Sequence, residues 1–379
     1  MTAVLTASDC TDHAPYARAA ALARARLGAL LARDRVPGVQ HVVVSANDTL
    51  SRIAAGWADR ASRVPFTNET PSLAYSLSKT VTAFVVLQLA EANTLDLDAP
   101  VSDWLPWQPY GEITPRQLLA HTAGVPNPLP LAWVHEPDVP FDEAGALRLA
   151  VTTHARRVEA PDTHVRYSNI GYWLLGALVE AATGQTFANA VQERITRPLA
   201  LPGGALGVAP RIDTPVATGY VERHSLMWWL RRWLIDERWR GDADGRWGTM
   251  RPHRVNGIGY GGMVGTAAGF AGLLQELLKA MAHEPARTVG PRAVTWMSAP
   301  HRFVNGHSTA MALGWNLRWR SGRHGMERQL FKEGGGAGYH HLMRVYPQHG
   351  LASVLMSNAT GLGVHQLLDE LDAPFLAGS

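Results

Sequence analysis

Near the start of the chain, apolar residues recur at helical spacing. Ala20, Ala23, Leu27, Leu30 and Leu31 share one face of residues 19–35, with Arg24, Arg26 and Arg33 between them. The spacing predicts an amphipathic helix lying on a sheet. Two strand-like runs follow at 40–45 and 51–57, flanking the turn signal Asn47-Asp48, and a third at 72–75 leads into Ser76. From 80 to 92 the pattern is helical and mostly apolar, as for a helix inside a domain. Further helices are predicted at 142–153, 169–183, 186–197 and 266–281, amid proline-punctuated loops. Strand patterns return at 312–320, 327–333, 339–346 and 351–357, and a last helix is predicted at 363–372. Strands at both ends and helices between them imply an antiparallel sheet built from 1–75 and 255–379. A helical domain, 76–254, is inserted within it.

Composition adds exclusions. Of 379 residues, 46% are hydrophobic and 18% charged, an ordinary globular balance. The net charge of +3 is too even for a dedicated nucleic-acid binder. The single cysteine, Cys10, excludes an internal disulfide framework and thiolate metal clusters. No apolar run approaches the roughly 18 residues needed to span a bilayer. Asp9, Asp12 and the arginines of 19–35 do not fit a secretory signal, so the chain reads as cytoplasmic. His340 and His341 would point to opposite faces of a strand, and there is no H-x-x-x-H helix motif. Neither metal nor cofactor is expected.

Two nucleotide or hydrolase signatures fail on context. Gly257-Ile258-Gly259-Tyr260-Gly261-Gly262 matches a dinucleotide fingerprint, but no strand precedes it and Glu276 falls too early to bind a ribose. It reads as a flexible loop. There is no G-x-S-x-G elbow.

Lysine is the informative residue. The 35 basic residues include only Lys79, Lys279 and Lys332. Arginine cannot lose its proton near neutral pH, whereas a buried lysine can, so a role needing a neutral amine requires lysine. Lys279 reads as a solvated helix residue. Ser76 and Lys79 stand one helical turn apart at a strand-to-helix junction, where a neutral amine could take the serine proton. Arg166-Tyr167-Ser168-Asn169 precedes a clean helix, and Phe331-Lys332-Glu333-Gly334-Gly335-Gly336 ends a strand in a glycine run against which a substrate can lie.

In order, S-x-x-K, Y-x-N and a lysine-glycine motif resemble the serine β-lactamase and penicillin-binding superfamily. The resemblance is strongest to its class C β-lactamase, family VIII esterase and D-amino-acid-amidase branch. It covers about residues 35–375 and extends to 95–101, 114–124 and 262–270. It implies a β-lactamase/transpeptidase-like α/β sandwich with a helical domain and the active site in the cleft between. It also implies Ser76 as nucleophile, with Lys79 and Tyr167 sharing the base and acid work. Lys332, with Lys79, would lower the Tyr167 pKa. Asn169 would orient Lys79 or a substrate amide, and the backbone N–H groups of Ser76 and Gly335 would form the oxyanion hole, beside Gly334. The expected activity is hydrolysis of small esters or amides, carboxylesterase-like with weak or no β-lactamase action. Acyl transfer, β-lactam or D-amino-acid-amide hydrolysis, and a non-catalytic ligand-binding role are the alternatives. The expected partner is a small acyl substrate; no oligomeric state is implied.

The third motif departs from the pattern. Glu333 stands where relatives that bind β-lactams carry Thr or Ser, and would repel a substrate carboxylate and partly neutralise Lys332. Alternatively it points into solvent or pairs with an arginine. A second unusual stretch, 223–254, holds five of the 13 tryptophans. Leu226, Trp229, Leu230, Trp233 and Leu234 would share a helical face. The segment would pack on the domain, close as a lid over an acyl pocket, or touch a membrane.

Overall fold

Period-2 alternation at both chain ends produces one antiparallel sheet. The structure, a computed structural model, describes residues 14–129, 133–137, 139–208, 215–226, 228–230, 235–322 and 325–378. We label its main strands β1 (Gly38–Ser45), β2 (Thr49–Asp59), β3 (Trp315–Gly322), β4 (Gly325–Gly336), β5 (Tyr339–Tyr346) and β6 (Leu351–Ser357). Their order is β3-β4-β5-β6-β1-β2, with Met311–Ala312 and Val64–Pro65 at the two edges. The C-terminal β6 thus pairs with the N-terminal β1, Val42 opposite Val354.

Alternate residues of the strands feed two cores. Val39, Val43, Leu342 and Leu355 pack against helices α1 (Ala17–Ala32) and, near the C-terminus, Val364–Gly378. Val42, Val44, Met343 and Val354 face the other way, toward the interior helices. The chief of these are α2 (Ser78–Glu91), α3 (Glu143–Thr153), α4 (Asn169–Thr183) and α5 (Ala267–Met281); the C-terminal helix is α6. Polar caps start them. Ser168 accepts from the Gly171 N–H, Thr266 from Gly269 and Asp142 from Gly145. α2 is buried on nearly every side, and its Val81, Phe84, Val85 and Leu87 are inaccessible. Each such side chain contributes about 1.5–3 kcal/mol of burial, which offsets the cost of carrying Lys79 inside the same helix.

The predicted helices and strands are present with shifted ends, except that residues 72–75 give only the two-residue strand Ser72–Leu73. In the 223–254 segment the described residues 226 and 228–230 are helical, as expected, and strands follow that the periodicity did not predict. Tyr220–Glu222, Arg240–Asp244, Trp247–Met250 and Ala359–Thr360 form a second, four-stranded sheet. Trp239 and Trp247 are buried, whereas Leu226, Trp229 and Leu230 are exposed; Trp233 and Leu234 lie outside the described residues. Among the described residues, no helix is long and apolar enough to cross a membrane, and no group of side chains could hold a metal ion.

Candidate active site

The nucleophile candidate sits on a strained turn. Tyr75 adopts φ +45°, a region that bulky side chains avoid, and the chain then winds through a 3₁₀ turn, Tyr75–Leu77, into α2. The Tyr75 ring fills the space beside Gly336, where any Cβ would stand 2.0 Å from it. A Cβ on Gly334 would stand 2.7 Å from the Ala74 carbonyl oxygen, so the glycine run lets β4 approach the turn closely. β4 pairs with β3 only as far as Phe331, while its pairing with β5 continues to Gly336. Residues 332–336 therefore turn one strand edge toward Ser76.

Four predicted residues converge. Ser76 Oγ lies 2.5 Å from Tyr167 Oη and 3.2 Å from Lys79 Nζ. Lys79 Nζ also lies 2.8 Å from Asn169 Oδ1 and 2.9 Å from the Tyr260 carbonyl oxygen. The rings of Tyr167, Tyr260 and Tyr172 surround Nζ, with centroids at 4.7, 5.2 and 5.7 Å. Burial, and then the charge of Lys332, push the Lys79 pKa well below that of an ordinary lysine. Lys332 comes from β4 to within 5.8 Å of the Tyr167 ring centroid, and its Nζ is buried without a hydrogen-bond partner among the described residues. Burial lowers its pKa to about 7.

Two expectations need correction. The lysines do not lower the Tyr167 pKa. Burial raises it to about 12, the Ser76 hydrogen bond opposes that rise, and Glu333 adds to it. The reason is that desolvation of the phenolate is the largest effect on Tyr167. Nor does Glu333 neutralise Lys332. Successive strand residues point to opposite faces, and the Glu333 carboxylate instead lies 2.7 Å from His340 Nε2 and 3.0 Å from His365 Nε2, with no arginine on it. Those two histidines hold its pKa well below the usual carboxylate range.

Ser76 lies between two cavities. One, about 730 Å³, is bounded by Tyr167, Lys332, Glu333, Gly335 and His340. The other, about 180 Å³, is lined by Asn169, Tyr260 and Gly335 together with apolar side chains.

Several positioning residues had no role in the sequence analysis. His121, at φ +58°, accepts the Ser168 N–H on Nδ1, 3.2 Å, and its ring packs at a tilt against those of Tyr167 and Tyr172. It occurs in the 114–124 stretch, but nothing in that stretch names the partner. The glycine loop 257–262 is not free, as expected, but pinned. Glu143 Oε2 and Oε1 accept the N–H groups of Gly257 and Ile258, at 3.1 and 2.9 Å. Thr82 Oγ1 donates to the Gly259 carbonyl at 2.6 Å, and Gly259 packs against Gly176. This loop carries the Tyr260 carbonyl to Lys79. A backbone acceptor leaves no signature in sequence.

Comparison with known proteins identifies the family. A family profile described as Beta-lactamase matches residues 23–376. Esterase EstB of Burkholderia gladioli is 33% identical over 221 residues, 52% of this chain and 55% of that protein. Penicillin-binding protein 4 of Amycolatopsis lactamdurans is 31% identical over 196 residues, 50% of this chain and 48% of that one. The chain thus spans about half the length of these sequence relatives. The D-amino acid amidase from Ochrobactrum anthropi superposes with a TM-score of 0.75 at 21% identity, covering 96% of this chain and 100% of that one. The profile spans nearly the whole chain, both cores and every motif of the cleft, and the chain belongs to the beta-lactamase family.

Proposed function

We propose that the protein is a serine hydrolase that cleaves small esters through an acyl-enzyme on Ser76. The observation that carries this reading is the coordination of Lys79. A neutral amine has two N–H bonds and one lone pair. Asn169 Oδ1 and the Tyr260 carbonyl accept the two N–H bonds, so the lone pair faces the Ser76 hydroxyl. A binding module has no use for such a base.

The steps follow from the pKa order. Lys79 takes the Oγ proton as Oγ bonds to the acyl carbon and the carbonyl electrons move onto oxygen. The N–H groups of Ser76 and Gly335 receive that oxyanion. As the intermediate collapses, the leaving oxygen takes the Tyr167 proton, and the Lys79 ammonium returns a proton to Tyr167. A phenol with a pKa near 12 is the acid of this pair, not the base. Water then attacks the acyl carbon, passing its proton to Lys79, and Oγ leaves with that proton. Ester plus water gives acid plus alcohol. Similarity to esterase EstB supports an ester substrate, as does the charge of Glu333 at the wall of the wide cavity, which disfavours a carboxylated substrate.

Incubation with a p-nitrophenyl ester and rapid quenching tests this. Mass spectrometry is expected to find the acyl group on the peptide containing Ser76. Turnover without any covalent adduct, or an adduct on another residue, would overturn it.

A further inference from the structure

The two cavities at Ser76 differ in wall chemistry, and that difference orients the substrate. Of the two cavities that meet at Ser76, Tyr167, the proposed acid for the leaving group, lines the wide one. The leaving alcohol must therefore lie there, which leaves the acyl substituent to the smaller cavity. That cavity is walled by Tyr75, Val134, Ile235, Trp239, Met250 and Val255. Among the described residues, no lysine, arginine or carboxylate lines it. His253, at its wall, is buried with its pKa lowered, and lies 3.1 Å from the Tyr75 hydroxyl. Ile235, Trp239, Met250 and His253 all belong to the tryptophan-rich segment 223–254. Trp239 and Met250 are locked in a small core with Val221.

We propose that this segment builds the acyl-binding subsite, and that it selects an uncharged apolar acyl group of about the size of a phenyl ring. This rests on the serine-hydrolase reading above. The volume of about 180 Å³ is the measure used: an apolar protein cavity of roughly 150 Å³ accepts benzene and stays dry otherwise. The selecting tryptophan is Trp239, not Trp229 of the expected lid, since Trp229 is 64% exposed and lines neither cavity. A charged acyl group would be desolvated there without a partner, which costs several kcal/mol.

The test holds the leaving group constant. p-Nitrophenyl acetate, butyrate, phenylacetate, decanoate and hemisuccinate are compared by kcat/KM in the wild type, Trp239→Ala and Ile235→Trp. The wild type is expected to prefer phenylacetate and butyrate, with decanoate and hemisuccinate at least about tenfold lower. One methylene in an apolar pocket discriminates by about 10–200-fold. Trp239→Ala is expected to raise the decanoate-to-acetate ratio at least about tenfold, and Ile235→Trp to lower the phenylacetate-to-acetate ratio by a similar factor. Ile235 also borders the wide cavity, but the leaving group is the same throughout and ratios to acetate cancel any effect on it or on the catalytic machinery, so Ile235→Trp carries the test if Trp239→Ala folds poorly. Wild-type turnover with both ratios unmoved would overturn the subsite while leaving the serine mechanism standing. Absence of any Ser76 adduct in the wild type would instead remove the mechanism on which the subsite rests.

Discussion

Lys79 and Glu333 both border the Ser76 cleft, one at its floor and one at its rim, and the protein treats their charges in opposite ways. Lys79 is fully buried, its fixed acceptors are an amide oxygen and a backbone carbonyl, and a second lysine stands nearby. Nothing there carries a compensating negative charge among its contacts, so the ammonium loses its proton readily. Glu333 is half-exposed, touches two histidines, and keeps its charge. Desolvation at the floor makes a base; solvent and hydrogen bonds at the rim make a fixed field. In the proposed mechanism the first would decide whether chemistry occurs, the second which substrates arrive.

The sharpest way to break this comparison is at the floor. Ser76→Ala is expected to abolish acylation and reduce ester turnover by at least about 10³-fold. Ser76 is partly exposed and caps no helix, so the melting temperature should move by no more than ~3 °C. Wild-type turnover in Ser76→Ala would place the chemistry at another hydroxyl.

Lys79→Arg keeps a positive charge but removes the base, and is expected to cost about 10²-fold or more in kcat/KM. The pH profile sharpens it. A group that works only when deprotonated, with its pKa driven below that of ordinary lysine, gives a rate that climbs as pH rises through that lowered value. The climb should begin well before the pH at which free lysines titrate, and should vanish in Lys79→Arg. A climb at the usual lysine range would mean that the buried amine stays charged.

The two regions were not equally legible in the sequence. Ser76, Lys79, Tyr167 and Asn169 could be read because each lies within a helical turn or cap whose spacing sets the neighbour. Glu143 could not, since it acts 114 residues away, on the Gly257 N–H. Residues 240–244 (RGDAD) form a strand without β-branched alternation, so the small sheet gave no periodic signal. Sequence reading also placed the segment's apolar face at Leu226 and Trp229, where periodicity was strongest. Of the segment's buried tryptophans, Trp247 is held by strand pairing and Trp239 by a single 3₁₀ turn, Glu237–Trp239, neither of which helical periodicity detects.

Glu143→Gln tests the hidden support of the floor. The amide can accept one of the two backbone N–H groups but presents its own NH₂ to the other. The loop should shift, displacing the Tyr260 carbonyl from Lys79. A displacement of about 1 Å can cost up to about 10²-fold, so kcat should fall about 10- to 100-fold with a smaller change in KM. The acid limb of the pH profile should move as well, because Lys79 has lost a fixed acceptor. A lower melting temperature with an unmoved pH profile would reduce Glu143 to a structural tie.

The smallest effect is expected at the rim. Among the described residues, Glu333 is the only acidic side chain lining the wide cavity, so its field acts on whatever charge the substrate brings. A carboxylate approaching to about 4 Å would be repelled by about 1–4 kcal/mol at effective dielectrics from 80 down to 20. His340 and His365, hydrogen-bonded to the same carboxylate, draw off part of that field and expose the rest to solvent, which sets the outcome toward the lower figure. Glu333→Thr is therefore expected to raise kcat/KM for a carboxylated cephalosporin about three- to tenfold relative to a neutral p-nitrophenyl ester. Most of the change should disappear in 1 M salt, where the screening length is about 3 Å. The same substitution should leave the acetate-to-decanoate ratio alone, since Glu333 does not touch the apolar cavity. If the wild type already hydrolyses the cephalosporin well and Glu333→Thr changes nothing, the histidines neutralise the rim and selectivity lies in cavity shape.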